Sequence, residues 1–252
     1  MKHQKRTLKT LVLGAFIACL PALGQAQEDW ISGSLNLSAN THFISYGADV
    51  WGAGTDLGDI LFNPSAELAF DLGNGVTATL GSWWDVNDNA ETSIGGDIIQ
   101  EVDVWTGIGF AVGEVDVSLT YQEWMYANQS ERIIDAGFGF PGALSPSLTI
   151  HGRVDGEDLE TGIVAVAGIT PEYDIGGQTV SFPLNIAGNT DEFHGGDSGF
   201  TYASAGAATS FDMGKDTTFD VGATYYLTDE DTVPNNEDDS FLTLTAGVGF
   251  SF

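Results

Sequence analysis

Ser240-Phe241-Leu242-Thr243-Leu244-Thr245-Ala246-Gly247-Val248-Gly249-Phe250-Ser251-Phe252 closes the chain. Leu242, Leu244, Ala246, Val248, Phe250 and Phe252 share one side of this stretch, and Thr243, Thr245, Gly247, Gly249 and Ser251 share the other. A period of two is that of an extended strand, whose successive side chains point to opposite faces. About 9–11 residues of this kind cross a bilayer as a tilted strand, with one face toward lipid and the other toward a lumen. The remaining sequence decides whether the strand has partners of the same type.

It has eleven, by the same alternation and with no helical periodicity between them. The first runs from Ile31 to Ile44, the second from Ile60 to Leu72 and the third from Val76 to Val86. The fourth runs from Glu101 to Val112, and the fifth from Val115 through Gln122. The sixth and seventh, Ile133 to Phe140 and Pro146 to Val154, flank Pro141-Gly142. The eighth and ninth, Thr161 to Ile175 and Gln178 to Ala187, meet at Gly176-Gly177. The tenth and eleventh, Gly199 to Met213 and Asp216 to Leu227, meet at Gly214-Lys215. Connections alternate strictly in kind. Gly73-Asn74-Gly75 is a tight hairpin signal, whereas Ser45 to Asp59, Asn87 to Gln100, Gly188 to Ser198 and Thr228 to Asp239 are long and polar. The expected fold is all-β, a single closed antiparallel transmembrane β-barrel of about 12 strands. Short periplasmic turns are expected at one end and longer acidic external loops at the other. Trp83, Trp84, Trp124, Tyr126, Tyr225 and Tyr226 fall near the long-loop ends and are expected to form an interfacial girdle there.

At the amino end, Lys2, Lys5, Arg6 and Lys9 precede the apolar run Leu11 to Leu20 and the small residues Gly24 and Ala26. That is the pattern of a secretory signal peptide. Residues 1–26 are expected to be cleaved and residues 27–252 to form the barrel in the outer membrane. Phe16-Ile17-Ala18-Cys19 loosely resembles a lipobox but lacks the branched aliphatic residue three places before the cysteine. Cleavage after Ala26 removes Cys19, the only cysteine, so the mature chain has no thiol chemistry.

Of the seven basic residues only Arg132, Arg153 and Lys215 follow Ala26, against 36 acids, a balance of about −33. Nucleic acid is excluded as a partner, because phosphate binding needs clustered cations. With 15 Phe, 6 Trp and 7 Tyr, the chain is also too aromatic to be disordered. The alternation puts Glu67, Asp71, Asp85, Asp103, Asp116 and Asp220 on the lumen side, with His151 and Arg153 from the seventh strand. Arg153 would brace the wall by pairing with an acid, or face Glu67 and Asp103 across a constriction and orient solutes in transit.

No Gly-x-Ser-x-Gly elbow is present, and no cofactor is implied. His194, beside Asp191, Glu192 and Asp197, is the histidine a rim-site hydrolase would use, although a histidine among acids is more often an exposed surface residue. Asp229-Glu230-Asp231 and Glu237-Asp238-Asp239 offer oxygen ligands for divalent cations without matching a calcium-loop pattern.

The terminal strand ending on Phe252 resembles the C-terminal signature of bacterial outer-membrane barrels. That resemblance implies that Val248, Phe250 and Phe252 serve as an assembly signal for the barrel-assembly machinery. Phe43-Ile44-Ser45-Tyr46-Gly47, Asn63-Pro64-Ser65-Ala66-Glu67-Leu68-Ala69-Phe70, Trp83-Trp84 and Val102-Asp103-Val104-Trp105 resemble the TorF-like family of porins. The expected function is a non-enzymatic channel for passive diffusion of small hydrophilic solutes, biased toward cations by the acids on the lumen side. The alternative is a closed barrel whose acidic loops bind surface partners, divalent cations or lipopolysaccharide. Inward aromatics such as Trp105 and Tyr226 could fill such a barrel.

Overall fold

The computed structural model describes residues 30–51, 60–90, 93–96, 98–156, 159–190 and 193–252. The expected signal peptide lies outside them. The strands are β1 (Ile31–Asn40), β2 (Ile44–Ser45), β3 (Ala48–Asp49), β4 (Leu61–Gly73), β5 (Val76–Val86), β6 (Ile99–Val112), β7 (Val115–Met125) and β8 (Ser130–Gly139). They continue with β9 (Ser147–Asp155), β10 (Gly162–Ile169), β11 (Glu172–Ile175), β12 (Gln178–Ser181), β13 (Leu184–Asn189), β14 (Gly199–Asp212), β15 (Thr217–Thr228) and β16 (Ser240–Ser251). Apart from the small β2–β3 pair, all belong to one antiparallel sheet, which closes through β1–β16 and β14–β15.

The wall has 12 strands because two of them are interrupted. β10 and β11 are separated at Thr170-Pro171, and β12 and β13 at Phe182-Pro183. Proline has no N–H for the ladder, so pairing breaks at each while the chain keeps its course. Among the described residues the ring of strands is closed and only β11, bonded to β12 alone, has an unpaired side, so closure removes nearly all the unpaired N–H and C=O groups of an open sheet. Tight turns follow from local chemistry: Gly73 (φ 81°), Asn74 (φ 56°) and Gly75 (φ 73°) take three successive left-handed positions at the β4–β5 hairpin, which Asn and Gly tolerate best.

The final strand seals the barrel against the first. Gly33 and Phe252 exchange backbone hydrogen bonds of 2.8 and 3.0 Å, and the Phe252 ring lies where a Cβ on Gly33 would be. Facing outward around the wall are Leu80, Ile108, Leu119, Ile134, Ile186 and Leu244, all well exposed. Among the described residues, most of the fully buried side chains lie inside the barrel toward its long-loop end, where β2, β3 and their turn fold into the bore.

Candidate functional site

Cross-strand register assigns the inner face, since directly paired residues point the same way. Glu67, Gly81, Trp105, Gln122, Ile133 and Arg153 form one continuous row across six strands. The neighbouring row toward the long loops contains Ser65, Trp83, Asp103, Trp124 and Glu131. Asp85 and Glu101 are paired one step further on.

Within the first row, Gly81 has no side chain, so the indole of Trp105 lies across it; a Cβ at residue 81 would collide with the ring. Trp105 thereby reaches over an intervening strand and donates Nε1–H to Glu67 Oε2 at 2.8 Å. Glu67 is thus committed to a wall contact. Arg153 does not face Glu67 and Asp103 as a free cation. Its Nε donates to Glu131 on adjacent β8, and its Nη1 donates to the carbonyls of Phe193 (2.8 Å) and Glu160 (3.1 Å). The guanidinium also lies 4.0 Å from the Phe193 ring centroid. With both side chains of this bridge almost fully buried, Arg153 braces the wall. A buried cation is tolerated only with such complete pairing. His151 is fully buried and is held through Nδ1 to Asp135 Oδ1 at 2.6 Å.

The other inward acids lie away from this cluster. Asp71 accepts the Gly73 N–H at 2.8 Å and caps the β4–β5 turn. Asp116 is exposed near the opposite end of the barrel from the long loops, in register with Ala111 and Gly139. Asp220 accepts from Thr218 Oγ1 at 3.0 Å and lines a separate cavity of about 460 Å³ with Glu172, Ser210 and Thr245. These three acids are therefore not gathered at the Arg153 bridge.

What crosses the bore is the first long loop. The first strand ends at Asn40 rather than at Ile44, and the chain then turns inward as the β2–β3 hairpin, with Tyr46 (φ 50°) and Gly47 (φ 99°) at its tip. The Tyr46 ring packs 3.7 Å from that of His151 and 6.4 Å from that of Trp124. Phe43 packs on Trp83 at 4.8 Å, and His42 stacks on Phe241 at 5.4 Å. Polar contacts fix the same segment: His42 Nδ1 with Asp49 Oδ2 at 2.9 Å, and Trp51 Nε1 with Asp85 Oδ2 at 3.0 Å. Asn236, from the last long loop, donates to Gly47 O at 2.9 Å and accepts the Asp49 N–H at 2.8 Å.

His194 joins this assembly instead of standing exposed among acids. Its Nε2–H donates to Tyr46 O at 3.1 Å. Burial, reinforced by the Arg153 charge, lowers its pKa to about 4. It is neutral at pH 7, and its Nε2 is occupied by a backbone carbonyl. Burial raises the carboxyl of Asp49 above its ordinary range, against the pull of His42.

Beside the hairpin a cavity of about 470 Å³ remains, bounded by Asn40, His42 and the hairpin on one side and by Asn63, Trp83, Glu101, Asp103, Trp124, Tyr202 and Tyr226 on the other. Three members of the expected aromatic girdle, Trp83, Trp124 and Tyr226, therefore point into the lumen. Tyr126 also turns to protein, donating to Glu131 Oε1 at 2.9 Å. Sequence reasoning did not single out Glu101 or Glu131, because their significance depends on which strand lies beside which. Among the described residues, no three His, Cys, Asp or Glu side chains converge as metal ligands.

No family model matches the chain, that of the TorF-like porins included, and no curated protein matches it in sequence. Among solved structures it is similar to an outer membrane channel from Pseudomonas putida F1, with 9% identity and a TM-score of 0.50 over 88% of this chain and 95% of that one. The KdgM porin aligns at 7% identity and a TM-score of 0.49, covering 87% and 99% of the two chains. For the NanC porin the values are 14%, 0.48, 86% and 98%. At such identities the likeness concerns the barrel fold.

Proposed function

We propose that this protein is a porin-like channel of a Gram-negative outer membrane, passing small hydrophilic solutes with a bias toward cations. The observation that supports the reading is a closed barrel, apolar outside, whose bore is narrowed by an inward hairpin beside a cavity lined by Glu101 and Asp103. An apolar exterior over a polar interior is the reverse of a soluble barrel and matches a lipid surround. At the narrowing, Glu101 and Asp103 line the cavity while Arg153 is spent on Glu131. Acids confined in a low-dielectric channel raise the local concentration of cations and repel anions. The assembly machinery would read Val248, Phe250 and Phe252, and lipopolysaccharide would surround the outer rim.

The experiment is single-channel conductance of refolded protein in a planar bilayer under a salt gradient, for the wild type and for a variant with residues 44–49 replaced by a short Gly/Ser link. The reading expects small cation-selective openings in the wild type and larger, less selective ones in the variant. Folded protein that never conducts in either form overturns it. Conductance in the variant alone would favour a second reading, a closed structural barrel, which the hairpin's many contacts support.

A further inference from the structure

Among the described residues, the wall and the hairpin enclose an acidic surface beside aromatic rings. Asp103 stands between Trp83 on one neighbouring strand and Trp124 on the other, in direct register with both, and all three line the 470 Å³ cavity. Glu101, two residues along the same strand and on the same face, is 4% exposed and lines it too. Asp103 Oδ1 is buried without a hydrogen-bond partner. A buried carboxyl oxygen without a partner is costly, and the second buried acid beside it, Glu101, adds to that cost. Among the described residues no lysine or arginine lines the cavity, and His42, the one of them in its lining able to carry positive charge, is held by Asp49. Tyr202 and Tyr226 complete the cavity with two further rings.

Aromatic faces and carboxylates attract the same ligand by different routes. The negative face of a tryptophan or tyrosine ring draws a cation, and a carboxylate pairs with it. Rings further favour a ligand with a compact body that can lie against them. The cavity volume falls in the range of small-molecule sites, and its rings are held in place in advance, Trp83 by Phe43 and Trp124 beside Tyr46.

We propose that this cavity is a binding site for small organic cations, an ammonium group on a compact polar body such as an amino sugar, which Glu101 and Asp103 receive between the rings of Trp83 and Trp124. The proposal deepens the channel reading and rests on it by naming the class of solute the narrowing prefers.

Three nearly isosteric probes test it: glucosamine, glucose and glucuronate. Binding is followed by tryptophan fluorescence of the refolded protein in detergent, and passage by swelling of liposomes containing it. Glucosamine is expected to bind and pass about tenfold better than glucose, the ratio given by ~1.4 kcal/mol of combined ion-pair and cation–π attraction, with glucuronate last. In Glu101→Gln and Asp103→Asn the glucosamine-to-glucose ratio should fall toward one. Equal passage of glucosamine and glucose through the wild type overturns the inference and leaves the channel standing. Saturable glucosamine binding without passage of any probe supports the site and overturns the channel. Neither binding nor passage overturns both. Should the variants misfold, the three-probe comparison on the wild type still decides.

Discussion

Asn236 donates its side-chain amide to the carbonyl of Gly47 at 2.9 Å, joining the last long loop to the tip of the first across 189 residues of chain. The same side chain accepts the Asp49 N–H, so a single amide holds both flanks of the turn. Removing it should loosen the hairpin and, on the wall, cost only its donation to Thr228 Oγ1 at 3.1 Å at the end of β15. Asn236→Ala is expected to raise mean single-channel conductance and to weaken hairpin docking by about 1–3 kcal/mol, the scale of two lost hydrogen bonds with backbone partners. Proteolysis within residues 44–49 would report the loosening. Unchanged conductance together with unchanged protection would show that the latch is redundant.

His194 predicts a pH response. Its folded pKa of about 4 lies below the ordinary 6.5, so between those values the undocked loop binds a proton that the docked one does not. Docking therefore has its full strength above pH 6.5 and weakens as pH falls, by about 1.4 kcal/mol per unit, until it levels near pH 4. Asp49, raised by burial, contributes with the opposite sign, favouring docking where its carboxyl is protonated. His194→Gln should flatten the slope between pH 6.5 and 4. An identical slope in this variant would assign the response to other groups.

The Arg153–Glu131 bridge should behave as a unit. Arg153→Met leaves Glu131 buried beside Tyr126 alone and is expected to cost about 3–5 kcal/mol, whereas Arg153→Met with Glu131→Gln should cost less than the first change by itself. Denaturation midpoints on heat-modifiable gels compare them. Simple additivity would mean that the two groups act separately.

Trp105→Phe removes the donor to Glu67 while keeping most of the ring over Gly81. It should cost about 1 kcal/mol. Gly81→Val instead forces the ring away and should cost about 1–3 kcal/mol by overpacking. If Gly81→Val proves as stable as the wild type, the indole does not depend on that gap.

Strand alternation made much of the barrel legible. Val76–Val86 has the expected bounds, and the inward placement of Glu67 and Asp103 follows from period two. The same periodicity puts Trp83 on the side of Asp85, so its inward position was also present in the sequence; analogy with interfacial girdles pointed the other way. Asp71 carried a local clue as well, an aspartate two residues before a glycine, the spacing of a side-chain-capped turn. The bore-crossing hairpin was not legible. Phe43-Ile44-Ser45-Tyr46-Gly47 is short, and what turns it inward is packing against His151, Trp83 and Asn236, all distant in sequence. Nor did spacing identify Glu131 as the partner of Arg153, because a register shift between Arg132 and Ile133 sets that neighbourhood.

The seam between Gly33 and Phe252 also fixes an order of events. Closure needs β16, and the amide that clamps the hairpin tip lies just before that strand. Contacts this remote in sequence form late, after the local hairpins. A partly assembled sheet therefore has neither a sealed wall nor a clamped tip. Sealing and narrowing arrive together, so the earliest closed ring already holds its inward hairpin.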